Sequence, residues 1–184
     1  MISESAYWKS DLLRQSFQLR KRVVQKRWPG GSFARCEQTI MVGFYMIRKL
    51  IEAKQLTDVV TGTCVPMRLY PSKGKTVTRL NNHKIDELYD LDAPEKQDLG
   101  LKELCHQFIH SYVFTLVFDE NGSLSMIWIA SDHQRAKALF EIEVKTVIGI
   151  FEKVGNDDVG SMRATFDASI GDYRIKNYPF IEPS

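Results

Sequence analysis

The most restrictive feature of this chain is a pair of strand-forming runs around one dipeptide. Tyr112-Val113-Phe114-Thr115-Leu116-Val117-Phe118 and Leu124-Ser125-Met126-Ile127-Trp128-Ile129 flank Asn121-Gly122. β-Branched and aromatic side chains suit a pleated, half-buried surface. Asn-Gly supplies the positive φ angles that a tight hairpin turn demands. The pattern predicts an antiparallel hairpin over 112–130. A lone hairpin is marginally stable in water, so it must lie on other structure.

That other structure reads as helical. Over residues 5–28, Trp8, Leu12, Leu19 and Val23 form one apolar stripe, and Leu13, Phe17, Val24 and Trp28 form a second. The spacing predicts a long helix packed on two sides. Pro29-Gly30-Gly31 ends it, and Ser32 is a natural N-cap for a second helix over 33–54. The centre of that helix, Ile40 to Ile47, is apolar nearly all round, which marks a buried helix. Asp98 caps a third helix over 99–111. Ser131 and Gln134 form a capping box, from which a fourth helix runs to Val154 and stops at Gly155. Leu139, Phe140, Val144, Val147, Ile148 and Phe151 follow its spacing.

Between the second and third helices the pattern is broken. Residues 64–70 read as a short strand, kept at a sheet edge by Pro66, with 76–80 as its partner. Residues 85–91 read as one helical turn, and the acidic stretch after them as a loop. The expectation is one α+β domain over residues 1–154: a helical bundle core carrying a β-hairpin and a small antiparallel sheet. Residues 155–184 show no firm period and read as an irregular C-terminal tail.

The 43% hydrophobic and 26% charged fractions are those of an ordinary globular protein. There is no 18-residue apolar run to span a membrane. The N-terminus lacks the basic start and apolar run of a secretory signal, so a cytoplasmic protein is expected. Cys36, Cys64 and Cys105 are odd in number and far apart, which argues against a disulfide framework or a cysteine-rich zinc site.

Net charge is +2 but unevenly spread: +7 over residues 1–54, +3 over 55–80, −4 over 81–99 and −4 over 100–184. Such asymmetry marks either a polyanion-binding face or two halves that pack together. On the first helix Arg14, Lys21 and Arg22 share the outer face and are the candidate RNA-binding residues. Lys9, Arg20 and Arg27 fall between the apolar stripes, where their stems snorkel over the core.

Two nucleotide motifs are ruled out. Gly74-Lys75-Thr76 resembles the end of a phosphate-binding loop, but Leu69 stands where that loop needs glycine. No glycine-rich dinucleotide fingerprint follows a strand, and no cofactor is expected.

The stretch with most chemistry is Glu103-Leu104-Cys105-His106-Gln107-Phe108-Ile109-His110. Glu103, His106 and His110 lie at i, i+3 and i+7 and share one helical face. Two imidazoles four apart can chelate a metal. The order is not H-E-x-x-H and spacing suggests no further ligand, so no metal site is expected. His83, in a polar turn, and His133, in the first turn of the fourth helix, read as exposed structural residues.

Residues Cys105 to Tyr112 resemble the motif of the HEPN superfamily, the higher eukaryote and prokaryote nucleotide-binding domains. That motif is an Arg, a polar residue, and a His four to six residues after the Arg near a helix end. His110 matches the motif His and His106 the polar position, while Cys105 occupies the place of the Arg. The resemblance implies a helical bundle that dimerises with the motif at a cleft. It also implies a metal-independent ribonuclease, or an inactive relative, of a bacterial toxin–antitoxin or defence system. In such a site the Arg stabilises phosphate charge while the His moves a proton. With Cys105 there, either another cation such as Arg48 or Arg135 reaches in, or the site is inactive. His110 and His106 are the candidate catalytic residues, with RNA and a second copy of the chain as expected partners. The rival expectation is a non-enzymatic protein-interaction module or homodimeric domain.

Overall fold

The computed structural model describes residues 2–180. Helix α1 (Ser5–Val23) and helix α2 (Ser32–Glu52) come first, then a single turn, α3 (Asp58–Thr61). Strand β1 (Cys64–Pro71) leads through a loop and the one-turn α4 (Ile85–Leu88) to β2 (Glu95–Gly100). Helix α5 (Leu101–Ile109), strands β3 (Ser111–Phe118), β4 (Leu124–Ser131) and β5 (Ala138–Glu143), and helix α6 (Val144–Gly155) follow. Strands β6 (Val159–Asp167) and β7 (Asp172–Pro179) close the chain.

The core is not the expected helical bundle. It is a five-stranded antiparallel sheet, ordered β2-β1-β5-β4-β3, with α1, α2, α5 and α6 on one face. Strand alternation explains the split. Val65, Met67, Ile127, Ile129, Phe140 and Ile142 point to the helical face and join one core with Phe44, Phe108, Val147 and Phe151. Tyr70, Leu139, Ala130 and Val113 point the other way. There Val77, Ile85, Leu88 and Tyr89 cover part of the sheet. Helices α5 and α6 lie on the sheet, α2 lies on α5, and α1 lies along α6 and α2.

Three expectations fail for identifiable reasons. The fourth helix begins at Val144, not near Ser131, because residues 138–143 are strand β5. All but one of its six side chains are buried, which hides the period of two. Residues 95–98, read as loop, and residues 99–100, read as the start of the third helix, form β2 and pair with β1 in place of residues 76–80. Strand β1 is therefore internal. Its Pro66 is tolerated because pairing to β5 spans only Arg68 to Pro71.

Residues 155–180 are not irregular either. Strands β6 and β7 form a separate two-stranded ribbon. Asn177 anchors it: its Nδ2 donates to the carbonyls of Lys54 (2.8 Å) and Leu56 (2.9 Å).

The 112–130 hairpin forms as predicted, with a longer turn than Asn-Gly alone would make. Asp119 Oδ1 accepts from the N–H groups of Asn121 and Ser123, both at 2.9 Å. Gly122 takes the positive φ of 76°.

Candidate functional site

Helix α5 is amphipathic. Leu101, Leu104, Cys105 and Phe108 enter the core, and Phe108 stacks on Phe44 with ring centres 3.8 Å apart. That packing turns the opposite side outward, and His106 and His110 lie there one helical turn apart. Their ring centres are 4.6 Å apart. His110 is the C-cap, and its N–H donates to the His106 carbonyl at 3.1 Å.

A third imidazole arrives from far along the chain. Strand β3 starts directly after His110, and its Ser111 lies opposite Ser131 at the end of β4. The chain after β4 is thereby brought back to the end of α5. The Asp132 N–H donates to the His110 carbonyl at 3.0 Å. His133, the next residue, places its ring centre 6.3 Å from that of His106. His133 lies in a turn, not in a helix, and belongs to the cluster.

Burial pushes the His106 pKa down, and the neighbouring His110, His133 and Arg48 push it the same way. Glu103 acts weakly against them. The neutral imidazole, the state of a proton acceptor, is thereby favoured at His106. His110 and His133 are exposed and His106 is partly so, which leaves the cluster open to a ligand.

Cys105, at the motif Arg position, is fully buried, and burial pushes its thiol up to about 12. It is a packing residue. Of the two cations considered as substitutes, Arg48 acts on His106. Its Nε donates to Glu52 Oε1 at 2.6 Å, and Lys49 Nζ donates to Glu52 Oε2 at 2.9 Å. Arg135 is engaged elsewhere: Nη1 donates to the Val77 carbonyl at 3.0 Å, and its guanidinium lies 3.6 Å from the Tyr112 ring centre. Nη2 contacts Asp132 at 3.1 Å. Among the described residues, no group of three or more His, Cys, Asp or Glu is arranged to hold a metal ion.

Arg14, Lys21 and Arg22 come together as expected, on one outer surface of α1 with Phe17, Gln18 and Gln25. The Lys21 ammonium sits 4.4 Å from the Phe17 ring centre, and Arg14 pairs with Asp11. No residue of the His cluster lines that surface. The sequence pairs His106 with His110 through helical spacing but has no signal for His133, which depends on the β3–β4 register.

No helix among the described residues is long and apolar enough to cross a membrane. In comparisons with known proteins, no family model matches the chain, and no curated protein or solved structure is similar to it.

Proposed function

We propose that the chain acts on RNA, with the His106–His110–His133 cluster as a phosphodiester-cleaving site that uses no metal. The supporting observation is the convergence of three imidazoles, two from α5 and one from the β4–β5 turn, around a depressed His106. Paired imidazoles in opposite protonation states are suited to RNA cleavage. Neutral His106 takes the proton of the ribose 2′-hydroxyl as its oxygen attacks the adjacent phosphorus. His110 gives a proton to the leaving 5′ oxygen as the P–O bond breaks. The products are a 2′,3′-cyclic phosphate and a free 5′-hydroxyl. Arg48 neutralises charge on the non-bridging oxygens, the role that Cys105 cannot fill. Arg14, Lys21 and Arg22 hold the backbone at a distance. This keeps the chemistry of the HEPN resemblance on a different scaffold.

The test is purified protein with total RNA, with and without chelator. Cleavage that survives chelator and is lost in His110→Ala and Arg48→Ala is expected. Absence of cleavage, together with no RNA retardation at low salt, overturns the reading. The non-enzymatic alternative draws on the exposed apolar side chains of α2 and predicts that His110→Ala leaves every binding property unchanged.

A further inference from the structure

The two edges of the sheet are built differently, and at the β3 edge the Tyr112 carbonyl accepts a hydrogen bond from Asn82 Nδ2 at 3.0 Å. Strand β2, at one edge, carries Glu95, Lys96 and Asp98. Charges of that kind are how proteins stop an edge from pairing with another chain. Strand β3, at the other edge, has the sequence SYVFTLVF, with no charge and no proline. Its register is regular from Val113 to Val117, between two bulges. Among the described residues, residues 113–116 make no backbone hydrogen bond outside the β3–β4 ladder. An edge strand of this length and composition is a template for a further strand.

The side chains specify which strand. From Tyr112 to Phe118 the order is aromatic, Val, large apolar, Thr, large apolar, Val, aromatic. The pattern reads the same in both directions about Thr115. Two copies paired antiparallel on a two-fold axis at Thr115 therefore place like chemistry on like. Phe114 lies opposite Leu116 of the partner subunit and the two Thr115 side chains meet each other, while Val113, whose side chain is buried within its own chain, lies opposite Val117 of the partner subunit at the backbone. Such cross-strand pairs are favourable and no charge is buried.

Helix α2 supplies a second, independent observation. Phe33, at its start, has its ring centre 5.6 Å from that of Phe118 at the end of β3. Val42 and Tyr45, further on, line one hollow with Ile109 and Ser111 at the start of β3. Two points of α2 thus lie near opposite ends of β3. Phe33 (49%), Val42 (40%) and Tyr45 (49%) are exposed there. Exposed apolar side chains near a strand edge suit a symmetric interface.

We infer that the chain forms a two-fold dimer in which β3 pairs antiparallel with β3 of a second copy about Thr115, giving one ten-stranded sheet. His110 lies five residues from the axis, so the two His clusters stand roughly 30 Å apart along the strands. Each works alone, and the inference does not rest on the RNA reading.

The register makes a sharp test. Residues facing themselves across an antiparallel pair lie about 4.5–5.5 Å apart, within disulfide reach. In a Cys64→Ser background, Thr115→Cys is expected to give a covalent dimer on mild oxidation. Phe114→Cys alone does not, but mixed with Leu116→Cys it cross-links. Sedimentation equilibrium should give twice the chain mass for the unmodified protein. Thr115→Lys puts like charges face to face and should weaken self-association roughly a hundredfold. A monomer at micromolar concentration overturns the proposal, and so does a dimer in which Thr115→Cys stays reduced. The cross-linking pattern decides the matter even if Thr115→Lys folds poorly.

Discussion

The buried side chain of Gln107 accepts a hydrogen bond, through Oε1, from the Ser131 N–H at 3.0 Å. Gln107 lies between His106 and His110 in sequence, and Ser131 lies two residues before His133. This bond between α5 and β4 therefore helps to fix His133 relative to His106 and His110. Gln107→Leu leaves the Ser131 N–H buried without a partner, at a cost of about 1–3 kcal/mol. Denaturant unfolding measures that loss. RNA cleavage should fall by more than the unfolded fraction explains, because His133 loses its placement.

The depressed His106 gives a pH prediction. Its folded pKa lies below the usual value near 6.5, so below that pH the unfolded chain binds the proton more readily. The histidine's unfavourable contribution to stability is therefore absent above pH 6.5 and grows as pH falls through the window below it. NMR titration should find His106 titrating below 6.5. In His110→Gln, His133→Gln and Arg48→Ala the midpoint should move back up, since each removes a cause of the depression. Midpoints unchanged in all three variants would show the imidazoles to be electrostatically independent.

Gly43 tests the packing beneath the site. A Cβ at Gly43 would come within 2.1 Å of Phe151 Cζ, and Phe151 is held edge-on against Phe44, ring centres 5.4 Å apart. Gly43→Ala overpacks this contact and should destabilise the fold by roughly 1–3 kcal/mol. Adding Phe151→Leu should recover part of the loss, read as a thermal midpoint intermediate between the two.

Arg14, Lys21 and Arg22 are exposed or half-exposed, and none belongs to the buried core. Replacing all three by Ala should leave the thermal midpoint unchanged. If they bind RNA, the slope of log affinity against log salt should fall by roughly 0.7 for each phosphate that is no longer neutralised. An unchanged slope assigns the basic surface of α1 to solubility alone.

What the residues determine locally, they determine without help. Asn121-Gly122 between two β-rich runs made the hairpin legible, because turn chemistry and side-chain alternation act over a few residues. The apolar stripes placed α2 to within two residues but carried α1 five residues too far, to Trp28, because Trp28 packs against the core from a non-helical segment after Val23; spacing alone put His106 beside His110. Tertiary structure decided the rest. Strand β5 reads as helix because burial of Leu139, Phe140, Glu141 and Ile142 erases the alternation that marks a strand. The β2-β1-β5 pairing joins segments far apart in the chain, and no local propensity encodes which strand meets which. The ribbon of β6 and β7 depends on Asn177 reaching two carbonyls more than a hundred residues away. His133 enters the cluster through the Ser111–Ser131 register and the Gln107 bond. Short-range sterics and solvation are written in neighbouring residues, whereas a site assembled by strand register exists only once the sheet has formed.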